Sequence, residues 1–336
     1  MLIIGIEGTQ LRPAESDWIR APQVSGVVLF KRNFESREQV TELIAAIRAA
    51  RDEPLLVCVD QEGGPVQRFR QGFARLPALA RIGEIYARDP RLALELAGEH
   101  AWLMASEMRA IDIDFSFAPV LDLARGNVVI GERAFHADPK IVSELGLEYV
   151  RNMRLAGMAA TLKHFPGHGS VREDTHLETA IDRRALDEIR DADLIPFADA
   201  IQAGAEAVMM GHVTYPAVDG SSAGYSAIWI RDILRGELGF HGVVFSDDIS
   251  MAAAEGAGSI AARIAAHRDA GCDIVLACKP EIVPDALVAS RDEPACDPIV
   301  TEALLGKIAS TWQALIDNPQ RARFVARLTT LESSLA

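Results

Sequence analysis

"LLVCVDQEGG", residues 55–64, is the pattern on which the fold turns: an apolar run that stops at an acid and then at paired glycines. A strand with one face in water alternates apolar and polar residues, and this run does not. Near-continuous hydrophobicity is expected of a parallel strand covered on both faces. The same pattern recurs at Leu2–Gly8, Gly26–Phe30, Ile113–Pro119, Ala160–Phe165, Ala207–His212, Val243–Asp247 and Asp273–Cys278, which with Leu55–Asp60 makes eight. Helical patterns lie between them. Ile141, Val142, Leu145, Tyr149, Val150 and Met153 recur at helical spacing, after Asp138-Pro139 as a start and before Gly157 as a stop. Residues 37–51, 87–109 and 185–203 behave alike. Eight strands alternating with helices predict a (β/α)8 barrel, which takes about 250 residues without insertions. The stretch from Ile299 to Leu335 reads as terminal helix. No Pro/Ser-rich linker, internal repeat or low-complexity segment divides the chain, so one barrel domain over 1–336 with a C-terminal helical tail and no second domain is expected. A doubly wound open sheet is the alternative. Against it, Gly5-Ile6-Glu7-Gly8-Thr9-Gln10 lacks the glycine spacing of a phosphate-binding fingerprint.

The chain has 336 residues, 49% of them hydrophobic and 24% charged, an ordinary globular balance. Its formal net charge of −14 would repel nucleic acid and anionic membrane surfaces, and excludes them as expected partners. No stretch approaches the roughly 20 uninterrupted apolar residues of a membrane helix. The start, Met1 to Glu7, has no basic leader and reads as a strand, not a signal peptide. Cys58, Cys272, Cys278 and Cys296 form no paired framework; buried free thiols are expected, as suits a reducing cytoplasm.

In a (β/α)8 barrel the reacting side chains sit at the C-terminal ends of strands and in the loops that follow. Polar groups collect at those places here. Strand three runs into Asp60-Gln61-Glu62-Gly63-Gly64 with Arg68 close behind, and a long loop after strand four carries Gly131-Glu132-Arg133. Strand five delivers Lys163 and His164, strand six His212, and strand seven Ser246-Asp247-Asp248. The stretch "KHFPGHGSVREDTH", 163–176, holds three of the eight histidines. Three readings of it stand. His164 and His168 have zinc-helix spacing, but Pro166-Gly167 breaks the helix that would put both on one face; Asp174 and His176 could add ligands. Lys163 could form a Schiff base, which needs desolvation that adjacent acids would oppose. In the third reading Lys163 and His164 hydrogen-bond sugar hydroxyls from a rigid strand end, and Gly167 and Gly169 release the chain into a loop. On that loop Asp174 and His176, two residues apart on an extended segment, project to one side, so the acid can orient the imidazole. Asp247 is placed to attack an anomeric carbon. Successive strand residues face opposite ways, so only one of Asp247 and Asp248 should look easily into the mouth, and spacing alone does not choose.

At these residues the chain resembles the family 3 glycoside hydrolases, in their bacterial β-N-acetylhexosaminidase branch. The matching stretches are "VDQEGGPVQR" (59–68), "FAPVLDL" (117–123), "GERAFHADP" (131–139), "KHFPGHGSVREDTH" (163–176) and "FSDDISM" (245–251), in the family's order. Within the branch it is most similar to the cytoplasmic enzymes of peptidoglycan recycling. The resemblance implies that Asp247 is the nucleophile, His176 the acid/base and Asp174 its partner. It implies sugar-binding roles for Asp60, Arg68, Arg133, Lys163 and His164, and a retaining mechanism that departs from the usual pair of carboxylates. Many relatives carry a second α/β domain after the barrel, and a glucosidase branch takes its acid from a Glu outside the barrel. "DTH" stands where "DSH" is the commoner form, a difference of one methyl. The expectation is an exo-acting β-N-acetylglucosaminidase that removes terminal GlcNAc from muropeptides in the cytoplasm, as a monomer, with no metal or cofactor. The rivals are a metal-dependent barrel hydrolase and a sugar-binding barrel that does not turn over.

Overall fold

The computed structural model describes residues 1–171, 180–293, 297–307 and 310–333. All eight apolar runs are strands: β1 Leu2–Gly5, β2 Val24–Leu29, β3 Leu56–Val59, β4 Phe115–Ser116, β5 Thr161–Phe165, β6 Ala207–Met210, β7 Val243–Asp248 and β8 Ile274–Ala277. They pair in parallel in the order β4-β3-β2-β1-β8-β7-β6-β5. The two outer strands then meet. Thr161 N–H donates to Ala118 O at 2.8 Å and Leu121 N–H to Lys163 O at 2.8 Å, around a parallel bridge between Val120 and Lys163. That seam closes the sheet into a (β/α)8 barrel and removes the open-sheet alternative. β4 is shorter than its apolar run because Pro119 has no N–H to give the ladder.

The strands are buried along nearly their whole length, as the absence of alternation requires. Phe115 and Phe117 of the β4 segment reach across the lumen to Phe245 of β7, with ring centroids 5.7 and 5.4 Å apart. The barrel is therefore plugged by side chains, and ligands have access only at the strand ends.

The helix Pro139–Leu155 starts and stops as its sequence signals predict: Asp138 Oδ1 accepts from Lys140 N at 2.9 Å, and Gly157 follows with φ of 79°. The helix Arg37–Arg48 is capped by Ser36, whose hydroxyl accepts from Gln39 N at 3.1 Å. Three helical expectations are corrected. The 87–109 pattern begins at Pro90, after an Asp89 cap, with a separate helix Leu79–Tyr86 before it. The 185–203 pattern divides into Leu186–Arg190 and Leu194–Gln202. Asp193, at that break, is buried in ion pairs with Arg184 at 2.6 Å and Arg125 at 3.6 Å, a tertiary demand that helical periodicity does not register. The tail is likewise interrupted, as Pro298–Glu302, Trp312–Ile316 and Pro319–Ser333. Its last helix lies on Pro90–Arg109, where Arg321 pairs with Glu107 at 2.6 Å and Arg327 with Glu95 at 3.2 Å.

Cys58, Cys272 and Cys278 are buried free thiols; Cys296 lies outside the described residues. No helix among the described residues is long and apolar enough to cross a membrane.

Candidate active site

At the C-terminal ends of the strands opens a cleft of about 680 Å³. Its floor is a chain of opposite charges. Lys163, in β5 and 2% exposed, donates from Nζ to Asp60 Oδ1 at 2.8 Å and to Glu62 Oε1 at 2.6 Å. Asp60 is the residue after β3, and Glu62 lies in the ribbon Gln61–Gly63/Val66–Gln67 that follows. Arg133, in the turn Gly131–Arg133 after β4, grips Glu62 with two bonds, Nε to Oε2 at 2.8 Å and Nη2 to Oε1 at 2.9 Å. Arg68 Nη2 stands 3.5 Å from Asp60 Oδ2. Burial alone would raise both carboxyls, but the cations outweigh it. Lys163 and Arg68 hold Asp60 well below the carboxylate range, and Arg133 and Lys163 lower Glu62. Burial opposes the Arg133 charge as well, and Glu62 more than compensates, raising its pKa. Lys163 lies against two carboxylates, the adjacent acids that oppose the desolvated amine a Schiff base needs.

His164 shares the cleft lining. Its Nδ1 lies 2.7 Å from Asp122 Oδ2, so that nitrogen donates to the carboxylate, which fixes the orientation of the ring. Asp122 also accepts from the backbone N–H of His164 at 3.2 Å and of His168 at 2.6 Å. Burial would raise this fully enclosed carboxyl, but His164 leads the groups that lower it. The rings of His164 and His168 have centroids 6.1 Å apart and planes at 64°, and among the described residues no group of three or more His, Cys, Asp or Glu could hold a metal ion.

The glycines at 167 and 169 are required by close packing where the chain leaves β5. Gly167 has φ of +133°, a region that favours glycine, and a Cβ there would sit 2.8 Å from the Asp193 Cβ. A Cβ on Gly169 would meet Leu123 O at 1.8 Å, so the chain presses on the backbone next to Asp122. Asp174 and His176 lie outside the described residues.

Asp247 and Asp248 both border the cleft. The reason is a bulge. Phe245 pairs with Ile274 and Asp248 with Leu276, so three steps along β7 match two along β8. Ser246 absorbs the extra residue, its Oγ accepting the Leu276 N–H at 2.9 Å. The two acids differ in their ties. Asp248 Oδ1 accepts from Ser250 N at 2.9 Å and Cys278 N at 3.2 Å, and its Oδ2 from Ser250 Oγ at 2.5 Å. Asp247 Oδ1 accepts from Asp248 N at 2.8 Å. His212 stands behind the pair and outside the cleft lining; Nε2–H donates to Asp248 O at 3.2 Å.

Glu62 and Asp122 are the site residues that strand-end reasoning left unassigned. Glu62 had a usable signal, being two places beyond Asp60 in a segment where side chains alternate. Asp122 had none outside the stretch "FAPVLDL", because its partners come from another strand.

Three buried histidines set an acid limit. Burial pushes His100 and His168 down to about 4; burial, with His212 adding, pushes His267 down to about 3. The unfolded reference is about 6.5, so the stability tied to these neutral rings is complete above that pH and is lost as pH falls towards 4. Each costs about 1.4 kcal/mol per pH unit in that window, so the three together reach about 4 kcal/mol per unit. The depressed carboxyls act lower, below pH of about 4. The melting temperature is expected to drop steeply between about pH 6 and pH 4. A level profile down to pH 4.5 would refute this account.

The likenesses to known proteins agree with this geometry. The profile of the glycosyl hydrolase family 3 N-terminal domain matches residues 3–302. A β-hexosaminidase of Stenotrophomonas maltophilia (strain R551-3) is 60% identical over 316 residues, 94% of each chain. One of Xylella fastidiosa (strain 9a5c) is 56% identical over 330 residues, 98% of each chain. The crystal structure of NagZ from Neisseria gonorrhoeae in complex with N-trifluoroacetyl-D-glucosamine aligns with a TM-score of 0.91 at 39% identity, covering 99% of this chain and 98% of that one. With the barrel, the cleft and relatives matched along nearly their whole length, the chain belongs to glycosyl hydrolase family 3 and is a glycoside hydrolase of the β-hexosaminidase type.

Proposed function

We propose that the enzyme is a retaining exo-β-N-acetylglucosaminidase that releases terminal β-linked GlcNAc from muropeptides of the GlcNAc-1,6-anhydro-MurNAc type, in cytoplasmic peptidoglycan recycling, as a monomer. The observation that carries it is the placement of Asp247 in one cleft with Asp60, Arg68, Arg133, Lys163 and His164. A solved relative in complex with N-trifluoroacetyl-D-glucosamine supports the sugar. The paired charges of the floor offer N–H donors and carboxylate acceptors to sugar hydroxyls. The carboxylate of Asp247 attacks the anomeric carbon while the glycosidic C–O bond breaks, and the leaving oxygen takes a proton from His176. His176 then removes a proton from water, whose oxygen displaces Asp247. Two inversions give net retention. Asp174 orients His176, an assignment that rests on the sequence of 172–179. No metal or cofactor enters these steps.

Incubation with GlcNAc-1,6-anhydro-MurNAc should release GlcNAc, appearing first as the β-anomer by NMR, with full turnover in a chelator. First appearance of the α-anomer would exclude the retaining route, and loss of turnover on chelation would favour a metal-dependent hydrolase. His176→Ala should cost about 10²–10⁴-fold on the disaccharide and far less on aryl glycosides with good leaving groups. Equal losses on both would count against the acid role.

A further inference from the structure

We propose that Asp248 is a positioning residue: it locks the β7 bulge so that its own amide holds the carboxylate of Asp247 in line for attack. The inference rests on the reading of Asp247 as the nucleophile. Each polar group of Asp248 is engaged. The carboxylate takes Ser250 N and Oγ from the turn after β7 and Cys278 N from the residue after β8. The carbonyl receives His212 Nε2–H from beyond β6 at 3.2 Å and Met251 N–H at 3.1 Å. The remaining group, the N–H, donates to Asp247 Oδ1 at 2.8 Å. The residue whose N–H touches the attacking carboxylate is thus held through its own carbonyl and its side chain, and that side chain spends its acceptors on the frame.

An extra residue in a strand has no ladder partner to fix it, so something else must set the angle at which Asp247 leaves β7. Asp248 fills that need through backbone amides, which ask for an acceptor and not for a charge. Asparagine meets the same demand: its Oδ1 can accept from Ser250 N and Cys278 N, and its Nδ2 can donate to Ser250 Oγ. If Asp248 instead acted through its charge, asparagine would fail.

The test measures kcat and KM of Asp248→Ala and Asp248→Asn on p-nitrophenyl β-GlcNAc, with folding checked by circular dichroism. D248A should lower kcat about 10- to 100-fold, the scale of a misplaced reacting group, with KM within about threefold because the sugar is held by other strands. D248N should restore kcat to within about threefold of the native enzyme. D248N as slow as D248A, or D248A with native kcat, would overturn the proposal. Should D248A not fold, Ser250→Ala, which removes the bond to Oδ2 alone, should lower kcat about three- to tenfold at native KM; a native kcat there overturns it equally. Failure of the nucleophile reading shows separately, as activity in an Asp247 variant or a trapped sugar on another residue.

Discussion

Replacing Asp247 with alanine is expected to abolish hydrolysis of p-nitrophenyl β-GlcNAc, a fall on the order of 10⁴-fold or more, the scale seen when a residue of the reacting unit is removed. The size follows from chemistry. Without a carboxylate at the β7 end no covalent glycosyl-enzyme can form, and direct attack by water lacks a base on that face of the sugar. Asp247→Asn should be nearly as poor, because an amide oxygen is a weak nucleophile and cannot leave as a carboxylate. The loss is one of chemistry and not of folding, since the frame of the bulge is held by Ser246, Asp248 and Ser250. Melting temperatures of both variants should therefore stay close to native. The native enzyme, given a fluorinated slow substrate, should carry the sugar on Asp247 in peptide mass spectra. Near-native turnover in D247A, or the sugar on any other residue, removes Asp247 from the mechanism.

The second large effect concerns Glu62. Glu62→Leu leaves Lys163 with Asp60 alone and strips Arg133 of both its carboxylate bonds, with side chains only 2% and 10% exposed. Removing one partner of a buried pair costs about 3–5 kcal/mol, because the uncompensated charge stays behind. Chemical denaturation should register that loss, and KM for the sugar should rise at least about tenfold as both cations lose their aim. Glu62→Gln keeps the shape but not the charge and should fall between. A Glu62→Leu enzyme with native stability and native KM would show that Lys163 and Arg133 are positioned by something else.

Much of this molecule is legible from a single sequence, and the legible parts share a cause. Apolar runs without alternation, the Asp138-Pro139 start and the Gly157 stop are local features, and local sterics and burial act on them whatever the rest of the chain does. The polar residue at each strand end is local too, which is why Asp60, Lys163, His164 and Asp247 stand out in the sequence alone. What was missed lies in contacts between distant segments. The break at Asp193 answers to Arg184 and Arg125; Gly167 and Gly169 answer to Asp193 and the Leu123 backbone; Asp122 answers to His164 and His168.

The primary structure by itself determined the eight parallel strands, their alternation with helices and the set of polar groups delivered to one rim, because periodicity and termination signals are properties of a few consecutive residues. Only the tertiary structure decided that the sheet closes through Val120 and Lys163, that Glu62 binds two cations together, and that an extra residue in β7 brings the Asp247–Asp248 pair to the cleft with Asp248 tied to the frame. Those outcomes depend on register between strands far apart in the chain, and register is set where side chains from both meet.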